Sequence, residues 1–350
     1  MTRTPRAHGH RTAAALTLLC ALTAAATAPA PAHAAPNPGA ATLDEVRQRL
    51  DGLYHQSEVA TDKYNAADEK ATAQQKKVDT LDGQVKRAGR KEARLKALLG
   101  AAARAQYRGG GLPAEVQFAL AADPAHALDD AALAQQAQQG TQEQLSALEA
   151  VRKELRRRTD EATAELKDLR ASRRAMAENR DKIEKRIAAA RALESRLQKN
   201  ELRRLAELEK QAAARAQAKW VGTGVLDEAG TKATAAGRKA IAYATKQLGK
   251  PYVWGAEGPD SFDCSGLTSQ AWLHAGIAIP RTSEEQWARL KHVPVSRMRP
   301  GDLIIYFADA SHVALYIGDG KIIQAPRPGR WVYVSPAGSM QILGVVRPDA

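Results

Sequence analysis

From Leu43 to Leu99 this chain repeats apolar residues every seven positions, longer than any globular-domain helix keeps such a beat. One series runs Leu43, Leu50, Tyr64, Ala71, Val78, Val85, Leu99, and a second runs Val46, Leu53, Ala60, Ala67, Leu81, Ala88, Leu95. Ser57, Gln74 and Glu92 interrupt them. A further stretch carries the beat through Leu148, Leu155, Ala162, Leu169, Met176, Ile183, Ala190 and Leu197. Two supercoiled helices are expected, each on the order of 80 Å or more at a rise of ~1.5 Å per residue. Gly109-Gly110-Gly111-Leu112-Pro113 must stop the first. Residues 112–139 are less regular, holding Val116, Phe118, Leu120, Leu128 and Leu133 with a break at Asp123-Pro124. They read as short helices at the tip of an antiparallel hairpin spanning 41–218. Periodicity alone does not separate this hairpin from an intermolecular coil.

The glycines and threonines of residues 219–236 break the heptads and read as a linker. Residues 237–350 differ in kind, with most of the Pro, Trp and β-branched residues. Ile241, Ala244 and Leu248 mark a short amphipathic helix. Strands are predicted over 303–307, 312–317, 321–324, 331–334 and 342–346, with Gly318-Asp319-Gly320 as a tight hairpin turn. The fold class expected is α+β: a long helical hairpin followed by a small domain with one core of its own.

The first 34 residues have the three parts of an export signal: Arg3, Arg6 and Arg11, an apolar run from Ala13 to Ala26, and a small-x-small site at Ala32-His33-Ala34. Cys20 follows the bulky Leu19, which argues against a lipoprotein signal, so a secreted protein is expected. The net charge is +13, and about +10 once the three signal arginines are gone. An anionic cell envelope suits that charge, and an exported protein rarely meets nucleic acid. A solvated Ala- and Arg-rich surface explains much of it equally well.

Removal of the signal leaves one cysteine, Cys264, within Asp263-Cys264-Ser265-Gly266-Leu267. Asp263 and Ser265 are helix-starting residues, so the thiol is expected at a helix N-terminus, where the dipole favours thiolate. Thiolate chemistry needs a base and a group to orient it. His274 lies ten residues along the same predicted helix, about 15 Å away, and His292 sits in a predicted loop. His312 opens a strand that can hold it rigidly, and the hairpin return brings Gln324 close to it as an amide acceptor for one ring nitrogen. A Gln that satisfies only a backbone group fits the sequence nearly as well. No ligand cluster for a metal is present, and no glycine-rich phosphate loop, so no cofactor is expected.

Five motifs follow in order: Pro251-Tyr252-Val253-Trp254-Gly255, Phe262-Asp263-Cys264-Ser265-Gly266-Leu267, Pro280-Arg281-Thr282-Ser283-Glu284-Glu285-Gln286, Arg299-Pro300-Gly301-Asp302-Leu303 and His312-Val313-Ala314-Leu315-Tyr316-Ile317-Gly318. Together they resemble the NlpC/p60 family of cell-wall cysteine endopeptidases. The resemblance implies a reduced papain-like fold and hydrolysis of peptidoglycan stem peptides, usually between the side-chain carboxyl of D-glutamate and a diamino acid. It makes Cys264 the nucleophile, His312 the base and Gln324 the third group, in a position most often held by His. Tyr252, Asp263 and Ser265 match substrate-binding positions. A muramoyl-L-alanine amidase and a non-catalytic coiled adaptor are the alternatives. A coil ahead of such a domain resembles exported division hydrolases in which the tip meets a transporter of the FtsE–FtsX type and the coil shields the site.

Overall fold

The computed structural model describes residues 42–108, 116 and 124–350. The expected export signal, with Cys20, and the tip residues Gly109-Gly110-Gly111, Leu112, Pro113, Phe118 and Leu120 lie outside them. Helices α1 (Leu43–Arg108) and α2 (Pro124–Glu194) pack side by side within one chain. Their cross-bonds pair Gln74 with Ser172, Lys77 with Glu165 and Glu92 with Arg152, numbers that run in opposite directions. The hairpin is antiparallel and intramolecular. A reciprocal capping box opens α1: Thr42 Oγ1 accepts from the Glu45 N–H at 3.2 Å, and the Glu45 carboxylate accepts from the Thr42 N–H at 2.8 Å.

The heptad interruptions have a use. Ser172 donates to Gln74 Oε1 at 2.9 Å, and Arg152 donates to Glu92 at 3.1 Å, so both breaks are polar links between the helices. Ser57 is buried and donates back to the Tyr54 carbonyl at 2.7 Å. Residues 124–139, expected as separate tip helices, are instead the opening turns of α2. Pro124 stands at the first helical position, where a missing N–H costs nothing.

Helix α3 (Lys199–Val221) joins hairpin to domain. Its Leu205 clusters with Val46, Leu50, Tyr54 and Ala190. At its other end Gln217 accepts from the Gly338 N–H at 2.6 Å and donates to the Gly320 carbonyl at 3.2 Å. A side chain at 338 would put its Cβ 2.7 Å from that of Trp220, so glycine is required there. Trp220 and Leu226 pack on the sheet, so the start of the expected linker is docked on the domain.

The sheet has six antiparallel strands in the order β1-β6-β2-β3-β4-β5. They are β1 (Lys291–Val293), β2 (Leu303–Tyr306), β3 (His312–Gly318), β4 (Lys321–Gln324), β5 (Tyr333–Pro336) and β6 (Ile342–Arg347). Leu303, Ile305, Val313 and Leu315 point into a core shared with α4 (Ala235–Thr245) and α5 (Cys264–His274). Their neighbours Ile304, Tyr306, Ala314 and Tyr316 point into a second core covered by Trp220, Leu226 and Met298. Both faces are buried, which is why β2 reads as a continuous apolar run. A short helix, α6 (Ser283–Arg289), follows α5.

Candidate active site

Cys264 is the first residue of α5. Asp263 caps that helix, its Oδ1 accepting from the Gly266 N–H at 2.6 Å. Gly266 lets the helix start pass under the 253–256 loop, since a Cβ there would meet the Ala256 carbonyl oxygen at 2.3 Å. Arg281 grips Asp263 with two nitrogens, at 3.0 and 2.7 Å, and also donates to Ser265 Oγ at 2.9 Å and Glu257 at 2.6 Å. The Gly255 N–H adds a bond to Asp263 Oδ2 at 3.0 Å. Asp263 and Ser265 are therefore fixed parts of the floor beneath the sulfur. Arg281 stood in a quoted motif, but its role as clamp was not legible there.

His312 begins β3, and its Nε2 lies 2.8 Å from Gln324 Oε1. The register sets Gln324 opposite Ala314, one diagonal step from His312 on the same face. The Cys264 sulfur receives the backbone N–H of Val313, the residue after His312. The buried carboxylate of Glu58 lies 3.7 Å from His312 Nδ1 and acts electrostatically on the sulfur as well. The sulfur thus meets the His312 strand at Val313, while His312 Nδ1, the ring nitrogen turned away from Gln324, is buried without a hydrogen-bond partner. His274 and His292 do not join them. His274 stacks on Tyr243 at 4.0 Å, and His292 stacks on Trp287 at 3.8 Å. His292 lies in β1, not in the expected loop, because a three-residue edge strand leaves no pattern to read.

The cleft above Cys264 is filled. One stripe of α1, spaced by three or four residues, enters it from above. Glu58 faces His312, Thr61 bonds to the Tyr252 hydroxyl, Asp62 accepts from the Ser283 hydroxyl and the Glu284 N–H, and Asn65 Nδ2 donates to Asp263 Oδ2 at 3.1 Å. Tyr64 sets its edge against Trp254, with ring centroids 5.2 Å apart. Cys264 is left 4 % exposed and His312 1 %. This stripe was missed from sequence; its one signal is a run of charged and amide residues beside the Ser57 interruption.

Closure changes the chemistry. Burial pushes the Cys264 thiol well above its ordinary value, the carboxylates of Asp263, Asp62 and Glu58 push it further, and the Val313 N–H only partly offsets them. The thiolate expected from the helix dipole is therefore not the resting form. Burial also lowers His312 to about 4, against the bond to Gln324. Thiol and imidazole are both neutral at pH 7. Burial raises Glu58 well above the carboxylate range and brings Asp62 to about 7. Tyr252 is raised by the same cause. Among the described residues, no cluster of His, Cys, Asp or Glu has the make-up of a metal site.

The NlpC/P60 family profile matches residues 249–341, which contain Tyr252, Cys264, His312 and Gln324. This part of the chain is an NlpC/P60 domain. A "Probable endopeptidase" of Corynebacterium glutamicum is 39% identical over 118 residues, covering 34% of this chain and 56% of that protein. "Probable endopeptidase p60" of Listeria monocytogenes is 46% identical over 91 residues, 25% of this chain and 19% of that one. The solved NlpC/p60 domain of peptidoglycan hydrolase SagA is 34% identical, with 97% of it and 32% of this chain aligned and a TM-score of 0.30. The chain spans little more than half, or less, of these curated relatives.

Proposed function

We propose that the protein is an exported, self-blocked peptidoglycan endopeptidase. The observation that carries this is the buried Cys264 at a capped helix start beside the His312–Gln324 pair, inside an NlpC/P60 domain and under an α1 lid. With α1 withdrawn, water and substrate restore solvation to the pair. His312 then takes the thiol proton, and the sulfur attacks the amide carbonyl. Backbone N–H groups at the start of α5 stabilise the oxyanion, His312 returns its proton to the leaving amine, and water hydrolyses the thioester. Gln324 stays hydrogen-bonded to the ring throughout. The bond assigned is that between D-glutamate, through its side-chain carboxyl, and the diamino acid. Work during wall remodelling or division fits an export signal and a long arm whose tip meets a membrane partner such as an FtsE–FtsX-type transporter.

The test is mass spectrometry of muropeptides from purified sacculi treated with three full-length forms: wild type, Thr61→Trp and Cys264→Ala. Thr61 is buried against Tyr252, and an indole does not fit there, so this variant holds the lid open. Cut stem peptides are expected slowly from wild type, faster from Thr61→Trp and not at all from Cys264→Ala, a loss on the order of 10³-fold or more. Release of whole stems from the glycan would identify an amidase instead. Equal products from Cys264→Ala would remove the enzymatic reading.

A further inference from the structure

The side-chain amide of Gln324 has two ends of the same shape, and only its partners decide which faces the imidazole. With Oε1 inward, His312 carries its proton on Nε2 and leaves the Nδ1 lone pair available to take a proton from sulfur. With the NH₂ inward, the proton moves to Nδ1 and His312 no longer serves as base. A carboxylate at 324 would present an acceptor either way, so glutamine creates a choice that something else must settle.

Two hydroxyls from the edge strand β5 lie beyond the amide. Gln324 Nε2 is 2.7 Å from Ser335 Oγ and 3.4 Å from the Tyr333 hydroxyl. Tyr333 stands directly opposite Gln324, and Ser335 opposite Ile322, so both project toward the amide from one side. Ser335 is buried, whereas Tyr333 is 44 % exposed. Ser335 also bonds to the phenolic oxygen of Tyr333. Ser335 Oγ accepts from the NH₂ end of Gln324, the shorter of the two hydroxyl contacts, which leaves Oε1 for His312 Nε2.

We infer that Ser335 is a positioning residue: it holds the Gln324 amide with its oxygen toward His312 and so keeps the imidazole protonated on Nε2, the form that accepts from Cys264. This rests on the reading of Cys264 and His312 as the hydrolytic pair, and the test separates the two. In full-length protein labelled with ¹⁵N-histidine, with His312 assigned through His312→Asn, the ring ¹⁵N shifts report the tautomer without any turnover. Wild type is expected as the Nε2-protonated form. Ser335→Ala is expected to show a substantial Nδ1-protonated share, and Ser335→Thr, which keeps a hydroxyl, to restore the wild-type spectrum.

The second arm uses stem-peptide hydrolysis in the full-length Thr61→Trp background. Ser335→Ala is expected to lower kcat about tenfold with KM little changed, and to have no further effect on top of Gln324→Ala, because it acts only through that amide. An unchanged tautomer in Ser335→Ala would overturn the inference, as would the same tenfold loss in the Gln324→Ala background. If no form cleaves stem peptides, the proposed function fails, while the ¹⁵N shifts still decide the role of Ser335.

Discussion

The cleft has buried carboxylates in its floor and in its lid, and the two are held differently. Asp263, in the floor, is fully buried and receives two Arg281 nitrogens, the Gly266 N–H and the Gly255 N–H. Asp62, in the lid, has one hydroxyl and one long backbone bond, and Glu58 faces a neutral imidazole at 3.7 Å. Removing a carboxylate from water is unfavourable by several kcal/mol unless a cation and hydrogen bonds offset it. The floor is compensated and the lid is not. This tells a permanent contact from a conditional one: the domain keeps its floor in every state, whereas the lid stays only while its other contacts outweigh two poorly compensated acids.

The largest effect is expected from unpairing the floor. Arg281→Ala leaves Asp263 buried without its cation and should lower the stability of the NlpC/P60 domain by about 3–5 kcal/mol, read by thermal or urea unfolding of the full chain. Loss of less than about 1 kcal/mol would mean the floor is no better built than the lid. The next effect is on the lid alone. Thr61→Trp should speed alkylation of Cys264 by a neutral reagent on the order of 100-fold, while the unfolding midpoint of the domain stays put. A sulfur no more reactive than in wild type would show that α1 does not close the cleft in solution.

Much of the floor was legible in sequence and little of the lid, for a physical reason. Asp263, Cys264 and Gly266 lie within one helix start, and His312 and Gln324 lie across one hairpin, so local rules place them. The strands were legible too, since a glycine-bracketed turn and two buried faces leave clear marks. The lid contacts join residues about 200 positions apart, such as Asn65 with Asp263 and Asp62 with Ser283. In the sequence Glu58, Asp62 and Asn65 look like the solvated face of a coil, because heptad spacing shows which residues face the partner helix and is silent about a third body. The thiol was misread for the same reason. The helix dipole is a local effect, while the burial and the carboxylates that overcome it arrive with α1.

A smaller effect comes from pH, and its sign follows from the lid acids. The closed state holds Asp62 at about 7, against 3.8 for an exposed carboxyl, and holds Glu58 raised as well, so closing binds protons. Below the exposed value both states are protonated and pH has no effect through Asp62. As pH rises toward 7 the open state ionises first, and closure weakens by up to ~1.4 kcal/mol per pH unit for that group. Above 7 the contribution is flat. Protection of residues 252–266 against hydrogen exchange, compared between wild type and Asp62→Asn at each pH, isolates this part. Wild type should lose protection relative to the variant between about pH 4 and 7, and parallel curves would mean that Asp62 ionises as freely closed as open.

The smallest effect belongs to the far part of the hairpin, where charged residues pair at the surface. Glu92 holds both Lys96, at 2.7 Å, and Arg152, at 3.1 Å, the latter across the two helices. Exposed pairs of this kind contribute about 0–1 kcal/mol and are screened by salt, so Glu92→Ala should leave both hairpin stability and Cys264 reactivity nearly unchanged. That null result sharpens the contrast, because an acidic side chain on the same helix matters at 58 and 62 only where the domain takes its water away. If Glu92→Ala opened the cleft as Thr61→Trp does, closure would depend on the stiffness of the whole arm. The hairpin would then act as a lever on the lid, and the uncompensated acids at the cleft would not be what makes it conditional.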